Sequence, residues 1–533
     1  MSKKNLYKWT VMIYLAGNNS LDEESVAALA DMANASRMID ENVAIIARLS
    51  TSVHHGTVLR IDRRTTVEDL NNQLNAALIA QQKQSEMQKN QARERRHGVE
   101  IRQAEGSEDD EELHMEKISR FVSDAIGEFT ADHYMIVLSG HGAGVQGLLR
   151  EDPSTDFDFS VIDLGRVIKV INKYYLDGNR VDILGFDSCL MSMTEVAYAV
   201  HNNVKVTIGA EGFEPKAGWP YAKVIERISK SDDDIQSLAK TIVCDYIRHY
   251  EVFQAANVSV DQSACDMDGA EALMKAVNSL ATVLIKKFDR KQEFDPTVID
   301  SVLLSHWEAQ LYKNEQFMDL YDFCTLLKAR LDRNNENHSP VRTACQNVLN
   351  AIVGADKQRE LEEAEGVWEP ELADEAFAGI GSNQVHLDKI NFRTVGPFVL
   401  KSCYSGWTVQ YSHGVSIYFP WAKITAELDE YKKLNFVKDS HWGEFLDVYL
   451  EETKRAPRKP DARSWEFNDD YLRQGFNVAP VNPVGSSEVR MGEPNKMGEP
   501  NKMGEPNKGL RNLVGSMKNP PTAFGPCECN EGT

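Results

Sequence analysis

The chain has 533 residues, room for about three to four domain equivalents at roughly 150 residues each. Its 42% apolar and 26% charged residues are an ordinary globular mix. The 59 Lys and Arg against 81 Asp and Glu leave a net charge of −22. That charge argues against a nucleic-acid partner and favours the approach of cationic ones. Eight cysteines without regular spacing do not make a disulfide framework and fit a reducing setting. The apolar stretch 11–16 is too short for a signal-peptide core, and no run approaches the roughly 18 apolar residues that span a bilayer. The reading is a soluble, cytoplasmic protein without membrane partners.

In chain order, residues 9–16 read as a buried strand closed by Gly17-Asn18-Asn19. Residues 20–38 read as a helix with Asp22, Glu23 and Glu24 in its first turn, and 43–47 as a second strand. Strand, helix and strand at this spacing predict a parallel sheet with crossover helices. From about Gln81 to Glu116 the sequence turns polar and charge-blocked, with Arg93-Glu94-Arg95-Arg96 followed by Glu108-Asp109-Asp110-Glu111-Glu112. Lacking an apolar period, it reads as a mobile insertion. The sheet resumes at 133–139, 181–186 and 204–209. Residues 231–250 and 268–288 read as helices, and 413–419 as a late strand returning to the sheet. Three copies of Met-Gly-Glu-Pro-Asn-Lys at 491–508 form no core and read as a tail. The expected segments are 1–80, an insertion 81–117, a catalytic half 118–230, a completing part 231–455, and a disordered low-complexity tail 456–533.

Two strand ends carry chemistry. One is Ser139-Gly140-His141-Gly142-Ala143-Gly144; the next is Asp187-Ser188-Cys189, followed by helical spacing over 190–200. Ligands collect outside the carboxyl ends of parallel strands, so His141 and Cys189 can face one cleft. A thiol at a helix N-terminus would have its pKa lowered by the dipole. The amides of Gly142 and Cys189 could then receive an oxyanion. This is an acyl-transfer pattern with Cys189 as nucleophile and His141 as acid and base. Gly142-Ala143-Gly144-Val145-Gln146-Gly147 also matches a dinucleotide-binding loop, which requires a helix opening there. The Glu151-Asp152-Pro153 run just downstream opposes one. A catalytically silent scaffold or a nucleotide-binding module is therefore the alternative to an enzyme.

Ser139-Gly140-His141-Gly142 and Asp187-Ser188-Cys189-Leu190-Met191 together resemble the clostripain family of cysteine peptidases. The residues Trp9 to Asn19, the Glu214-Pro215-Lys216-Ala217-Gly218-Trp219-Pro220-Tyr221 segment, Asp319-Leu320-Tyr321-Asp322-Phe323, Ser416-Ile417-Tyr418-Phe419-Pro420 and Trp442 with Phe445-Leu446 are similar to further landmarks of that family. The resemblance runs from about Lys8 to Leu450. It implies a caspase-like three-layer α/β/α fold with a mostly parallel central sheet and helical additions. It also implies an endopeptidase cutting proteins or peptides after Arg or Lys, with His141 and Cys189 as the dyad.

By the same resemblance Asp187 is the acidic group for the substrate's basic side chain, a sensible pairing of carboxylate and guanidinium. Glu211 is the second candidate for that pocket. Calcium dependence (Ca2+ as the one cofactor) and self-cleavage are implied too, although the chain has no EF-hand loop. Candidate maturation sites, for the enzyme itself or an upstream protease, are Arg93, Arg95 and Arg96 in the insertion and Arg150 beyond His141, the insertion ranking first. The chain departs from the family at Ala210-Glu211-Gly212, where relatives often carry consecutive acids, and at Lys216, where Gly is common.

Overall fold

The structure, a computed structural model, describes residues 6–96, 114–149, 159–231, 234–254, 258–313, 316–365, 398–421 and 428–453. By its contacts the chain divides into 1–456 and 457–533, and the second unit, with its repeats, lies outside the described residues.

The apolar runs of the sequence become the strands β1 (Tyr7–Ala16), β2 (Val43–Ser50), β4 (Ala131–Ser139), β5 (Val181–Asp187) and β6 (Val204–Gly209), which pair in parallel in the order β2-β1-β4-β5-β6. Antiparallel strands complete both edges: β3 (Thr57–Ile61) beside β2, and β7 (Val260–Asp266) then β10 (Val399–Ser405) beyond β6. The central strands are apolar almost throughout because helices cover both faces. On one face Trp9, Val11, Ile13 and Leu15 of β1 join a core with α1 (Asp22–Asn34), α6 (Tyr221–Lys230) and α7 (Ile235–Glu251). On the other, Tyr14 meets Phe121 of α3 (His114–Glu128) at a ring separation of 6.2 Å. There α3 packs beside α4 (Val161–Tyr175), α4 beside α5 (Thr194–Val200), and α5 beside α8 (Ala270–Phe288). The three-layer α/β/α fold with a mostly parallel sheet is thus the one expected.

Two local expectations are corrected, and a third is made more definite. The first part of the expected insertion, residues 81–96, continues α2 (Val67–Arg96), which starts on the buried Leu70 and Leu74 and runs to Arg96 as one helix. Residues 97–113 lie outside the described part. Residues 413–419 do not rejoin the main sheet. Their strand β11 (Ser416–Tyr418) pairs antiparallel with β9 (Phe317–Asp319), which pairs with β8 (Leu311–Tyr312), in a separate small sheet. The chain after Cys189 also does not enter a helix at once. Leu190 adopts φ 65° and α5 starts only at Thr194.

Candidate active site

The paired register of β4 and β5 builds the site. Ser139 stands opposite Asp187, so His141 and Cys189 leave the same sheet edge, each two residues past a paired position. Both line one cleft of about 120 Å3, together with Asp187, Glu214, Lys216 and Gly218. The two loops touch. A Cβ placed on Gly142 would lie 2.3 Å from the Cys189 carbonyl oxygen and 3.1 Å from its nitrogen, so only glycine fits there. This contact brings the backbones of Gly142 and Cys189 together beside the nucleophile. The His141 Nε2 lies 2.9 Å from the Ser20 Oγ, just before α1.

The expected dipole activation of Cys189 is overturned. With α5 starting only at Thr194, the helix that follows Cys189 does not begin at the sulfur. Instead burial first, then the Glu214 charge, pushes the Cys189 thiol up to about 11. Its polar partners are the backbone of Glu214, whose N–H donates to Sγ at 3.3 Å and whose carbonyl lies 3.8 Å away.

Asp187 forms the floor. Its Oδ2 accepts from Ser139 Oγ at 2.8 Å and Tyr221 OH at 2.7 Å, and its Oδ1 from the Trp219 N–H at 3.0 Å. These contacts, not a helix cap, occupy it, and burial holds its pKa above the usual carboxylate range. Glu214 stands beside it. Oε1 accepts from the Trp219 indole at 3.4 Å and Gln262 at 3.3 Å, while the buried Oε2 has no donor. Burial and the neighbouring Asp187 push Glu214 well above its ordinary pKa. Trp219 can underlie the pair because Gly185 leaves space for its ring: a Cβ there would lie 2.7 Å from it.

Glu211, the second candidate for the basic pocket, is not in the cleft. It is fully buried behind it, where its Oε1 accepts from the Gly414 N–H at 2.5 Å. The side chain had to choose between two faces of a short loop, which its position in the sequence does not decide. Glu214, three residues further along the same loop, lines the cleft instead. Glu214 had stood in the sequence only as part of the Glu-Pro, Gly-Trp landmark. The available signal was an acid leaving the sheet edge right after β6, the neighbour of β5. Ser20 and Tyr221 gave no such signal, since their partners lie 121 and 34 residues away.

The dinucleotide-loop reading loses its premise, because residues Gly144–Gln146 form a single 3-10 turn and Leu148 then bridges Phe159. For calcium, no group of three or more His, Cys, Asp or Glu among the described residues is arranged to hold a metal ion. Arg93, Arg95 and Arg96 form the end of α2, and Arg150 lies outside the described residues. No helix among the described residues is long and apolar enough to cross a membrane.

The model of the Clostripain family (peptidase family C11) matches residues 13–449 of the chain. Clostripain from Hathewaya histolytica is 21% identical over 276 residues, which are 44% of this chain and 51% of that protein. The chain thus spans about half the length of the curated relative it matches. A secreted C11 cysteine protease from Bacteroides thetaiotaomicron, solved with an irreversible peptide inhibitor, aligns with a TM-score of 0.49 and 15% identity over 83% of this chain and 99% of its own. An inactive zymogen C11 protease from Parabacteroides distasonis aligns with a TM-score of 0.49 and 16% identity, covering 82% and 98%.

Proposed function

We infer that this chain, which belongs to the clostripain family of cysteine peptidases, is an endopeptidase that cuts proteins and peptides after Arg or Lys. The observation that carries the reading is the single cleft in which Cys189 and His141 stand over the buried carboxylates of Asp187 and Glu214. In the proposed reaction the Cys189 sulfur attacks the scissile carbonyl carbon and its proton passes to His141. The oxyanion is received by the N–H groups of Gly142 and Cys189. Collapse expels the amine, which takes the proton from His141. Water then cleaves the thioester, releasing the acid and restoring the thiol.

The basic preference follows from charge. Two neighbouring carboxylates out of water resist ionisation, and a guanidinium or ammonium entering between them relieves that cost. It also offsets the negative field that keeps the Cys189 proton in place, so a basic side chain would both bind and favour the thiolate. Lys216 on the exposed rim of the cleft weakens this field from outside.

Synthesis as a precursor is part of the proposal. Proteolysis needs extended backbone, and the end of α2 does not present Arg93, Arg95 and Arg96 that way. Arg150 therefore ranks first. It follows Leu149, whose N–H donates to the His141 carbonyl at 2.7 Å, so a cut there frees the strand that holds the His141 loop. The cytoplasm remains the proposed compartment, which cell fractionation checks. A peptide library profiled with wild type and Cys189→Ala tests the whole reading. Cleavage after Arg and Lys should fall by several orders of magnitude in the variant; cleavage unchanged by it, or directed to acidic or apolar residues, refutes the assignment.

A further inference from the structure

Behind the cleft lies a cluster that the proposed reaction does not use. Glu211 on the loop after β6, Asp261 on β7 and Asp319 at the end of β9 are all buried. Asp261 accepts from the N–H groups of Glu211 and Gly212 at 2.7 and 2.9 Å. Asp319 accepts from the His413 N–H at 2.6 Å, faces its ring at 3.2 Å, and caps the helix Leu320–Arg330 by accepting from the Asp322 N–H. Glu211 accepts from the Gly414 N–H through Oε1, while its buried Oε2 receives no donor.

Gly414 is a junction. Its φ of 102° admits only glycine without strain, and a Cβ there would lie 3.0 to 3.1 Å from Ser402, Val399 and Ser263. Its carbonyl accepts from Ser192 and Ser263, each at 2.8 Å. The loop carrying Glu211 holds the chain just past the nucleophile: the Gly212 carbonyl accepts from Leu190 N–H and the Ala210 carbonyl from Ser192 N–H, both at 2.9 Å. The same loop delivers the Glu214 N–H to the Cys189 sulfur.

We propose that Glu211 is a positioning residue for the nucleophile, latching the loop that carries Glu214 to the Gly414 turn and thereby fixing Cys189 from behind. The inference rests on the peptidase reading. Burial and the charges of Asp319 and Asp261 push Glu211 well above its ordinary pKa; in the protonated form this favours, one oxygen accepts from Gly414 and the hydroxyl can donate to a neighbouring carboxylate. The groups facing it are Asp261 from β7, Asp319 from β9, Tyr312 from β8, and beyond these His413 and Asp322. A carboxamide can make the same two interactions; a methyl group can make neither.

The test compares full-length wild type, Glu211→Gln and Glu211→Ala by turnover of an Arg peptide and by iodoacetamide labelling of each cysteine, read by mass spectrometry. Glu211→Gln should keep kcat and KM within about threefold. Glu211→Ala should lose about 10- to 100-fold in kcat, the cost of a small misplacement of reacting groups, and label Cys189 faster while buried Cys324 and Cys345 stay protected. A tenfold rise in KM for Glu211→Gln would mean that Glu211 binds the basic side chain itself, and would overturn the proposal. Wild-type kcat and labelling in Glu211→Ala would overturn it too. If Glu211→Ala does not fold, the Gln variant alone decides. If wild type cleaves no basic peptide, the peptidase reading fails, while the labelling of Cys189 still reports on the latch.

Discussion

At the scale of single residues, Cys189 and its neighbours invite direct measurement. Burial and the Glu214 charge hold the thiol at about 11, so it is almost fully protonated at neutral pH without substrate. Its alkylation rate should keep climbing well past pH 9, because the thiolate is the reacting species. Glu214→Gln removes a carboxylate that opposes the thiolate when ionised, so labelling at high pH should accelerate while cleavage after Arg weakens. Unchanged labelling would exclude Glu214 as the source of the shift. Gly142→Ala addresses geometry alone. The added methyl meets backbone atoms of Cys189 at 2.3 and 3.1 Å, which cannot rotate away, so one of the two loops must move. Turnover should drop by on the order of 100-fold with little change in melting temperature; near-normal kcat would show that the two amides do not act together.

Among elements, α2 and the strand after His141 bear on where the proposed maturation cut would fall. The 30-residue α2 keeps Arg93, Arg95 and Arg96 helical to its end, and a protease must unwind that turn before cutting. Arg150 instead follows a two-residue connection in which Leu148 bridges Gly142 and Phe159, and Leu149 binds the His141 carbonyl from a left-handed φ of 58°. We expect Arg150→Ala to suppress processing, and Arg93, Arg95 and Arg96 replaced together by Ala to leave the fragment pattern nearly unchanged. N-terminal sequencing of the fragments checks both, and the reverse pattern would place the cut in the helix. The element after Cys189 teaches a related lesson. The 190–200 stretch has helical spacing, yet Ser192 is drawn out of the helix by Ser263 and Gly414, and the dipole expected at the sulfur is lost with it.

For the whole molecule, the buried acids set the pH dependence of stability. Glu195 on α5 ties the three-layer domain to β11 of the small sheet and to the helical turn at Tyr431. Its Oε1 accepts from the Tyr418 N–H at 2.9 Å and Tyr431 OH at 2.7 Å, and burial raises its pKa to about 7. A raised carboxyl pKa means that the folded state holds the proton more tightly. Its contribution is therefore complete below about pH 4.5 and is lost as the pH climbs to about 7. That shift corresponds to a loss on the order of 3 kcal/mol. Glu195→Gln cannot ionise, so urea unfolding at pH 5 and pH 8 should show a smaller decline than in wild type. Equal declines would mean that Glu195 does not titrate within this window.

How much of this was legible in the chain itself depends on the range of the interactions involved. The parallel sheet, the helices α7 and α8, and the placement of His141 and Cys189 on neighbouring strand ends all follow from apolar periodicity and punctuation by glycine, which act within a dozen residues. Residues 81–96 read as an insertion because they lack an apolar period, yet the helix that starts on the buried Leu70 and Leu74 carries on through them. The sides taken by Glu211 and Glu214 were decided only in three dimensions. Those two acids lie three positions apart on one loop. Which of them faces the cleft depends on Asp261, Gly414 and Trp219, brought in from β7, the turn before β11 and the segment after β6. The thiol's pKa has the same origin: sequence places Cys189 after a strand, but burial and the charge of a neighbouring loop, both tertiary, set its proton affinity.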